Sequence, residues 1–598
     1  MSAVDTLLPL LKSTFGYDAF RGRQADVLDR VMTGRHCLAV MPTGAGKSLT
    51  YQLPALALDG TVVVISPLIA LMHDQLRGAL AAGIRAATLT SVDADQAETV
   101  ARLRGGELDL LYVAPERATR PAFAALLEEA RIALFAIDEA HCVSEWGHDF
   151  RPDYRGLRPL LDRFPSVPRL ALTATADGHT RADILVQLGI GDDGLILAGF
   201  DRPNIRYAMM PRTNPMKQLT DLLNEQPGPG IVYVPTRKKT EELAAGLARV
   251  SGRPVAPYHA GLDPDVRANT QNRFVASEDG VVVATVAFGM GIDKPDVRFV
   301  AHAGIPKSIE GFYQETGRAG RDGDPALAIM LWGASDFATA RARLAELPDD
   351  RVEGERTRLN ALAALVEATS CRRQILLAHF GESGAPPCGN CDNCLNPPAG
   401  ADATQLARKL LSAVYRTGQS FGLAHVTAVL TGEASERVTA RGHDQLSVFG
   451  IVGAEEAQLL RPLARSLTAR DALRQTEHGG WMLGPAAREI LKDEAAVTLA
   501  LPPERKRARR RGAGGAGSDG VAATNPVGNP LFDALRTLRR DLAAEAGVPP
   551  YVIAHDSVLR ELTARRPASL AALADVPGLG ARKIAAYGAA ILDVVRHY

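Results

Sequence analysis

Short apolar segments alternate with helical ones twice along this chain, and that alternation restricts the fold more than any other feature. In the first third, HCLAVM, TVVVIS, LDLLYV, LFAIDE and RLALTATA are continuous apolar runs ending in polar or turn residues. Helical stretches such as SLTYQLPALALD lie between them. Runs apolar on both faces, interleaved with helices, predict a buried parallel sheet covered on both sides. The pattern restarts near residue 229 with GPGIVYVPT, GVVVATV, VRFVAHAG and ALAIMLW. The expected fold class is α/β, with two parallel-sheet domains in series.

Near residue 340 the strand signals stop, and a charged helical stretch leads to four cysteines. Residues 404–500 read as short helices followed by a strand at WMLG. The segment PPERKRARRRGAGGAGSDGVAATNPVGNP is rich in Gly, Pro and Arg and reads as a flexible linker. Residues 531–598 read as helical throughout. A length of 598 residues accommodates such an arrangement, at ~100–200 residues per domain. Lys plus Arg and Asp plus Glu both total 68, so nucleic-acid binding has to come from local patches, not a global basic field. No apolar run approaches the ~20 residues of a membrane span. MSAVDTLLPLLKSTFG has no basic region followed by an apolar core, so the expected location is cytoplasmic.

MPTGAGKS, residues 41–48, follows an apolar strand and opens a helix, the context of a phosphate-binding loop. Gly46, Lys47 and Ser48 fit the end of the pattern, while Met41 occupies the position of its first Gly. Gly44 and Gly46 can still make the tight turn. Backbone amides of Thr43, Gly44, Ala45 and Gly46 would face the β-phosphate. Lys47 would reach the β- and γ-phosphates and Ser48 would hold Mg²⁺. FAIDEAH delivers Asp138 and Glu139 at the carboxyl end of a strand, where open α/β sheets bind ligands. Asp138 suits Mg²⁺, and Glu139 suits orientation or deprotonation of the attacking water. In QETGRAGRDG, Arg318 and Arg321 lie three apart and would share a face on a helix. They could supply cations to the developing γ-phosphate charge, or form a solvated charged face.

MPTGAGKS, DEAH, ALTATA, ATVAFGMGIDKPDVRFVAH and QETGRAGRDG, in that order, resemble the motif series of superfamily two helicases, and more narrowly the RecQ family of DNA helicases. The resemblance implies two RecA-like lobes, at 1–207 and 208–335, and ATP as the fuel. Met41 becomes a family variant of the loop. The catalytic set it implies is Lys47, Asp138, Glu139, His141, Gln314, Arg318 and Arg321, with His141 as a relay. FGYDAFRGRQ resembles the adenine-recognition segment, with Gln24 reading the base edge and Tyr17 and Arg21 packing beside it. Gly22-Arg23 departs from the commoner Pro-Gly there. HCVSEWGHDFRPDYRGL resembles the aromatic-rich loop that couples single-stranded DNA to hydrolysis. In it Trp146 and Phe150 offer π-faces and Arg151 a cation. In SPLIALMHDQ, His73 replaces a common Lys. Thr236 and Arg237 are candidate backbone contacts, with helix capping an equal reading for Thr236.

CRRQILLAHFGESGAPPCGNCDNC places Cys371 on a helix and Cys388, Cys391 and Cys394 in a C-x-x-C-x-x-C turn. Four thiolates favour structural Zn²⁺, with an iron–sulfur cluster as the chemical alternative. His379 could replace a thiolate, but its LLA neighbours suit packing. The spacing resembles the RecQ zinc domain, placed here at 336–403. Residues 404–501 resemble the family's winged helix (RQC), with RQTEHGGWMLG as its strand-separating hairpin. His478 is the tip candidate and Trp481 the alternative, and an exposed turn histidine is an even reading. After a basic linker at 502–528, residues 529–598 resemble the HRDC helical bundle, a binder of DNA or of protein. Tyr551, Arg582 and Lys583 are its candidate strand contacts, and Gly578 and Gly580 could bring amides to a phosphate.

The resemblance thus implies a 3′–5′ DNA helicase of repair, recombination and the SOS response. It would act on single-stranded, duplex, forked or junction DNA at the nucleoid. Its cofactors would be ATP, Mg²⁺ and Zn²⁺, and its protein partners single-strand-binding protein and a topoisomerase. An RNA helicase and an ATP-gated DNA binder with an uncoupled motor are the two competing readings.

Overall fold

The computed structural model describes residues 4–598 except 68, 91–92, 94, 145–150, 290–293, 345, 476–479, 493 and 502–528. In the first lobe the strands are Cys37–Val40 (β1), Thr61–Ile65 (β2), Ala86–Leu89 (β3), Leu110–Val113 (β4), Ile132–Ile137 (β5), Arg169–Thr173 (β6) and Leu195–Leu197 (β7). They form one parallel sheet in the order β3-β4-β2-β5-β6-β1-β7. Successive residues of a strand face opposite sides. Leu38, Val40, Val63 and Ile65 accordingly enter one apolar layer, and Cys37, Ala39, Val62 and Val64 enter the other. Burial on both faces is why these runs are apolar without alternation.

The second lobe repeats the plan. Ile205–Pro211 (β8), Gly230–Tyr233 (β9), Val255–Tyr258 (β10), Val281–Ala284 (β11), Phe299–His302 (β12) and Ala326–Trp332 (β13) pair in parallel in the order β10-β11-β9-β12-β13-β8. All nine strands expected from sequence in the two lobes are present. The four beyond them, β3, β7, β8 and β10, are the four sheet edges. An edge strand has one neighbour and weaker apolar demand, and β10 even carries Pro257, which an edge tolerates.

Helices Ala334–Leu344, Asp349–Glu367 and Arg372–His379 lead into the cysteine turn. Cys371 stands at the N-cap of the last of these, one residue ahead of the helix on which the sequence placed it. Strand Ala399–Asp402 (β14) pairs antiparallel with Thr498–Leu501, and the two bracket a compact helical module with its own core of Leu410, Leu411, Leu463 and Leu467. Within it Leu473–Gln475 (β15) pairs antiparallel with Trp481–Leu483 (β16), the expected hairpin. Trp481 lies in β16, half-buried against that core. The tip candidate His478 falls outside the described residues.

Residues 530–597 form a helical bundle around Leu531, Phe532, Leu559 and Leu592. It lies across both lobes. Glu278 of lobe two pairs with Arg536 at 3.0 Å, Arg539 at 3.1 Å and Arg540 at 3.5 Å, and Asp324 pairs with Arg560 at 2.5 Å. On lobe one, the Gly578 amide donates to the Gly16 carbonyl at 2.9 Å, and Arg582 donates to the Leu80 carbonyl at 3.0 Å. A Cβ on Gly580 would sit 2.6 Å from the Thr14 carbonyl oxygen. The glycines of PGLGARK thus serve close backbone approach, here to lobe one. Among the described residues, no helix is long and apolar enough to cross a membrane.

Candidate functional site: the interlobe nucleotide cleft and the cysteine cluster

A cleft of about 930 Å³ opens at the carboxyl ends of the lobe-one strands, facing lobe two. The loop at 41–48 follows β1. Gly44 and Gly46, at φ +84° and +75°, make its turn in the left-handed region that glycine favours. Met41 is fully buried in the sheet core, so the residue at the unmatched position packs instead of turning. Ser48 starts the helix Leu49–Ala57 without its hydroxyl bonded to the cap. Lys47 Nζ donates to the Met41 carbonyl at 3.2 Å across the loop. Burial lowers the Lys47 pKa, while Glu139 and Asp138 pull it back up.

Asp138 and Glu139 follow β5. Burial, and then the adjacent Glu139, raise the pKa of Asp138, while Lys47 opposes. The neighbouring carboxylates and the Ser48 hydroxyl line the same cleft and are an oxygen donor set fitting Mg²⁺. Glu139 adopts φ 49°, ψ 45°, a conformation that costs a non-glycine residue ~1–3 kcal/mol and clusters at active sites. Its Oε2 lies 3.3 Å from His141 Nδ1, which lies 3.0 Å from Thr173 Oγ1. The Thr173 hydroxyl bonds the Thr175 backbone, and the Thr175 hydroxyl accepts from Gln314 Nε2 of lobe two at 2.9 Å. A polar chain therefore runs from the acidic pair across the cleft. ALTATA is part of the motif series, but nothing in its composition marks Thr173 and Thr175 as links of that chain.

The arginines differ from expectation in one respect. The helix Ile309–Thr316 ends before them, and Arg318 and Arg321 sit on turns with Gly320 at φ +57° and Gly323 at φ +88°. The glycines that flank them break the helix, so they share a loop and not a helical face. Arg318 donates to the Gly289 carbonyl. Both arginines line the cleft, and the Arg321 Cα lies within 3.4 Å of where a Gly44 Cβ would stand.

The adenine-side residues meet the loop. Gln24 is buried; its Oε1 accepts from the Arg21 amide at 2.9 Å and its Nε2 donates to the Ala45 carbonyl at 2.9 Å. The Arg21 guanidinium lies 5.2 Å from the Tyr17 ring centre. Gly22 has φ +51°, which proline cannot adopt, so the Gly-Arg departure gives this loop its own path.

Trp146 and Phe150 lie outside the described residues. The segments flanking them are tied to the cleft: the Tyr154 hydroxyl donates to the Asp138 carbonyl at 2.9 Å, and Arg151 Nη1 donates to the Pro67 carbonyl at 2.9 Å. His73 lies 3.6 Å from Asp93. Thr236 caps the helix Arg237–Ser251, accepting from the Lys239 amide, and Arg237 packs beside Gly261. Tyr551, a candidate DNA contact, lines the interlobe cleft, as do His555 and Arg560. Burial pushes the Lys583 amine down to about 8.

The sulfurs of Cys371, Cys388, Cys391 and Cys394 lie within 4.8 Å of one another, with pairs at 3.9 and 4.0 Å. Tetrahedral Zn–S bonds of ~2.3 Å place sulfurs ~3.8 Å apart, so the cluster fits zinc. Amides of Cys388, Asn390 and Cys391 donate to these sulfurs at 3.3–3.4 Å, which favours thiolates. His379 is bonded to Glu310 at 2.5 Å and takes no part.

Five family models match in series: DEAD/DEAH box helicase at 21–184, helicase conserved C-terminal domain at 214–323, RecQ zinc-binding at 334–395, RQC domain at 397–508 and HRDC domain at 529–595. The chain is 40% identical to the ATP-dependent DNA helicase RecQ of Haemophilus influenzae, over 99% of this chain and 96% of that one. It is 36% identical to the protein of the same name from Bacillus subtilis, over 98% of each.

Proposed function

The chain belongs to the RecQ family of ATP-dependent DNA helicases, and from that premise we infer that it hydrolyses ATP to move 3′ to 5′ along one DNA strand and separate the duplex ahead. The observation that carries this reading is the polar chain from Glu139 through His141, Thr173 and Thr175 to Gln314. It joins the acidic pair of one lobe to the arginine-bearing segment of the other.

In this reading Lys47 neutralises the β- and γ-phosphates, and the amides of Thr43 to Gly46 cradle them. Ser48 and Asp138 are the residues that would hold Mg²⁺, which would supply further charge neutralisation at those phosphates. Glu139 takes the proton of the attacking water, and His141 fixes its carboxylate. Arg318 and Arg321 approach the γ-phosphate when the lobes close. Gln24, Tyr17 and Arg21 hold the adenine. Trp146, Phe150 and Arg151 contact single-stranded DNA, and the Tyr154–Asp138 bond supports transmission from that loop to the acidic pair. Thr236 and Arg237 hold the strand backbone in lobe two, with the Thr236 hydroxyl shared with its capping role. His478 at the hairpin meets the first base pair. We place the module boundaries at 1–207, 208–335, 336–403, 404–501, 502–528 and 529–598. Forked and junction DNA, single-strand-binding protein, a topoisomerase and a nucleoid location complete the proposal.

ATP turnover with and without single-stranded DNA tests the coupling. Wild type should be stimulated at least ~10-fold, Trp146→Ala should keep basal turnover but lose the stimulation, and Glu139→Gln should lose ~10²–10⁴-fold of both. Equal stimulation by RNA would favour an RNA helicase, and indifference to either polymer would remove the coupling.

The bundle at 530–597 bears on the same cleft. Exposed ion pairs contribute little singly, but Glu278 engages three arginines. Glu278→Arg should free the bundle, so that limited proteolysis releases 530–597 sooner and a fluorescent ADP analogue exchanges several-fold faster. Unchanged exchange with faster cleavage would mean the bundle does not gate the cleft.

A further inference from the structure

Arg202 lies in the short connection between β7 of lobe one and β8 of lobe two, and it is 8% exposed. Its Nη1 donates to the Thr43 carbonyl of the phosphate loop and, at 3.1 Å, to the Gly317 carbonyl. Its Nη2 donates to the carbonyls of Ala319 and Gly320, each at 2.9 Å. One guanidinium thus joins the loop that cradles phosphate to the loop that carries Arg318 and Arg321. A Cβ on Gly44 would lie 3.4 Å from Arg321 Cα and 3.6 Å from Arg202 Nη1, so both arginines flank Gly44.

The connection is itself held. Arg373, two residues after the zinc-cluster Cys371, donates to the carbonyls of Arg202, Pro203 and Ile205, the last at 2.7 Å, and lies 3.3 Å from Asp201. Asn204 donates to the Gly320 and Asp324 carbonyls at 2.8 Å, and Asn390 of the cysteine turn donates to the Pro203 carbonyl at 3.2 Å. The backbone beneath Arg202 is therefore fixed to lobe two and to the cysteine module. Of these hydrogen bonds, the one to Thr43 reaches the phosphate loop.

A buried guanidinium that bonds only carbonyls is an expensive way to stabilise a fold. Its planar fork of five donors is nevertheless suited to holding two loops at one spacing. In phosphoryl transfer that spacing matters, because a misplacement near 1 Å lowers the rate ~10²-fold.

We propose that Arg202 is a positioning residue for ATP hydrolysis, setting Arg318 and Arg321 against the phosphate loop as the lobes close. Lobe opening breaks the Thr43 bond and leaves the lobe-two bonds in place. Closure remakes it, so the arginine loop arrives at the γ-phosphate in one register. This inference rests on the hydrolysis reading, and the same assay separates the two: an inactive wild type ends both, whereas an active wild type with an unaffected Arg202→Lys ends this inference alone.

The test compares wild type, Arg202→Lys, Arg202→Ala, Arg321→Ala and the double variant Arg202→Lys/Arg321→Ala in DNA-stimulated hydrolysis, with zinc content and thermal melting alongside. The expected result is kcat lowered at least tenfold in Arg202→Lys with KM within about threefold, and a larger loss in Arg202→Ala. In the Arg321→Ala background, Arg202→Lys should cost less than threefold more, because the two act as one unit. Wild-type kcat, a raised KM with kcat kept, or fully multiplicative losses would each overturn the proposal. So would Arg202→Lys failing to melt cooperatively, since that assigns the residue to the fold.

Discussion

Lys47→Ala should lower ATP turnover at least ~10²–10³-fold while leaving the protein folded and able to bind single-stranded DNA. The group removed is the loop cation that the proposed reading sets against the phosphates, and a preorganised charge of this kind contributes about 3–4 kcal/mol to a transition state. Stability should change little. Burial already disfavours the Lys47 ammonium, and its bond to the Met41 carbonyl is a single contact on a loop. Asp138 and Glu139 lose their opposing charge, so the Asp138 pKa, already raised by burial and by Glu139, should rise further. Steady-state hydrolysis, thermal melting and fluorescence anisotropy with a labelled oligonucleotide separate these outcomes. Loss of hydrolysis and of DNA binding together would mean that the loop also supports the strand-binding face.

Cys391→Ser should lose both zinc and soluble protein. Its sulfur is fully buried, 4.0 Å from that of Cys371, and the Cys391 amide donates to the Cys388 sulfur. Structural zinc binding is worth roughly 10–16 kcal/mol in small domains, comparable to the ~5–15 kcal/mol that holds a whole protein folded. The damage should spread beyond the cysteine turn. Asp392 accepts from the Met209 amide at 2.8 Å and from Arg372 at 3.0 Å, so the turn is fastened to β8 of lobe two. Zinc per chain should fall from one toward zero, with most of the protein in the insoluble fraction. A soluble, cooperatively melting, zinc-free variant with wild-type hydrolysis would remove the structural role.

The sequence is most informative where the demands on it are local. Interior strands such as β2 and β6 are buried on both sides, so each had to be an unbroken apolar run. The phosphate loop, the acidic pair and the cysteine turn are contiguous in the chain, and their chemistry is carried by spacing. Edge strands carry a weaker signal: β7 is three residues long and β10 contains a proline. The arginine pair shows how a periodicity rule misleads, since spacing of three implies a shared face only on a helix and the flanking glycines end it. Contacts between distant parts leave no local trace. Nothing around Arg202 marks it as the bridge to Thr43, 159 residues away. Nor does PGLGARK reveal that its Gly578 amide meets Gly16. The left-handed backbone at Glu139 was equally invisible, because a strained backbone is imposed by its surroundings and not by its own residue type.

The measurement that bears most directly on the central claim is strand separation on two partial duplexes, one with a 3′ single-stranded tail and one with a 5′ tail, with ATP and with a non-hydrolysable analogue. The expected result is separation of the 3′-tailed duplex alone, only with hydrolysable ATP, and none with Lys47→Ala. Separation from the 5′ tail would contradict the polarity. Vigorous DNA-stimulated hydrolysis with neither duplex opened would contradict the helicase itself and leave an ATP-gated DNA binder in its place.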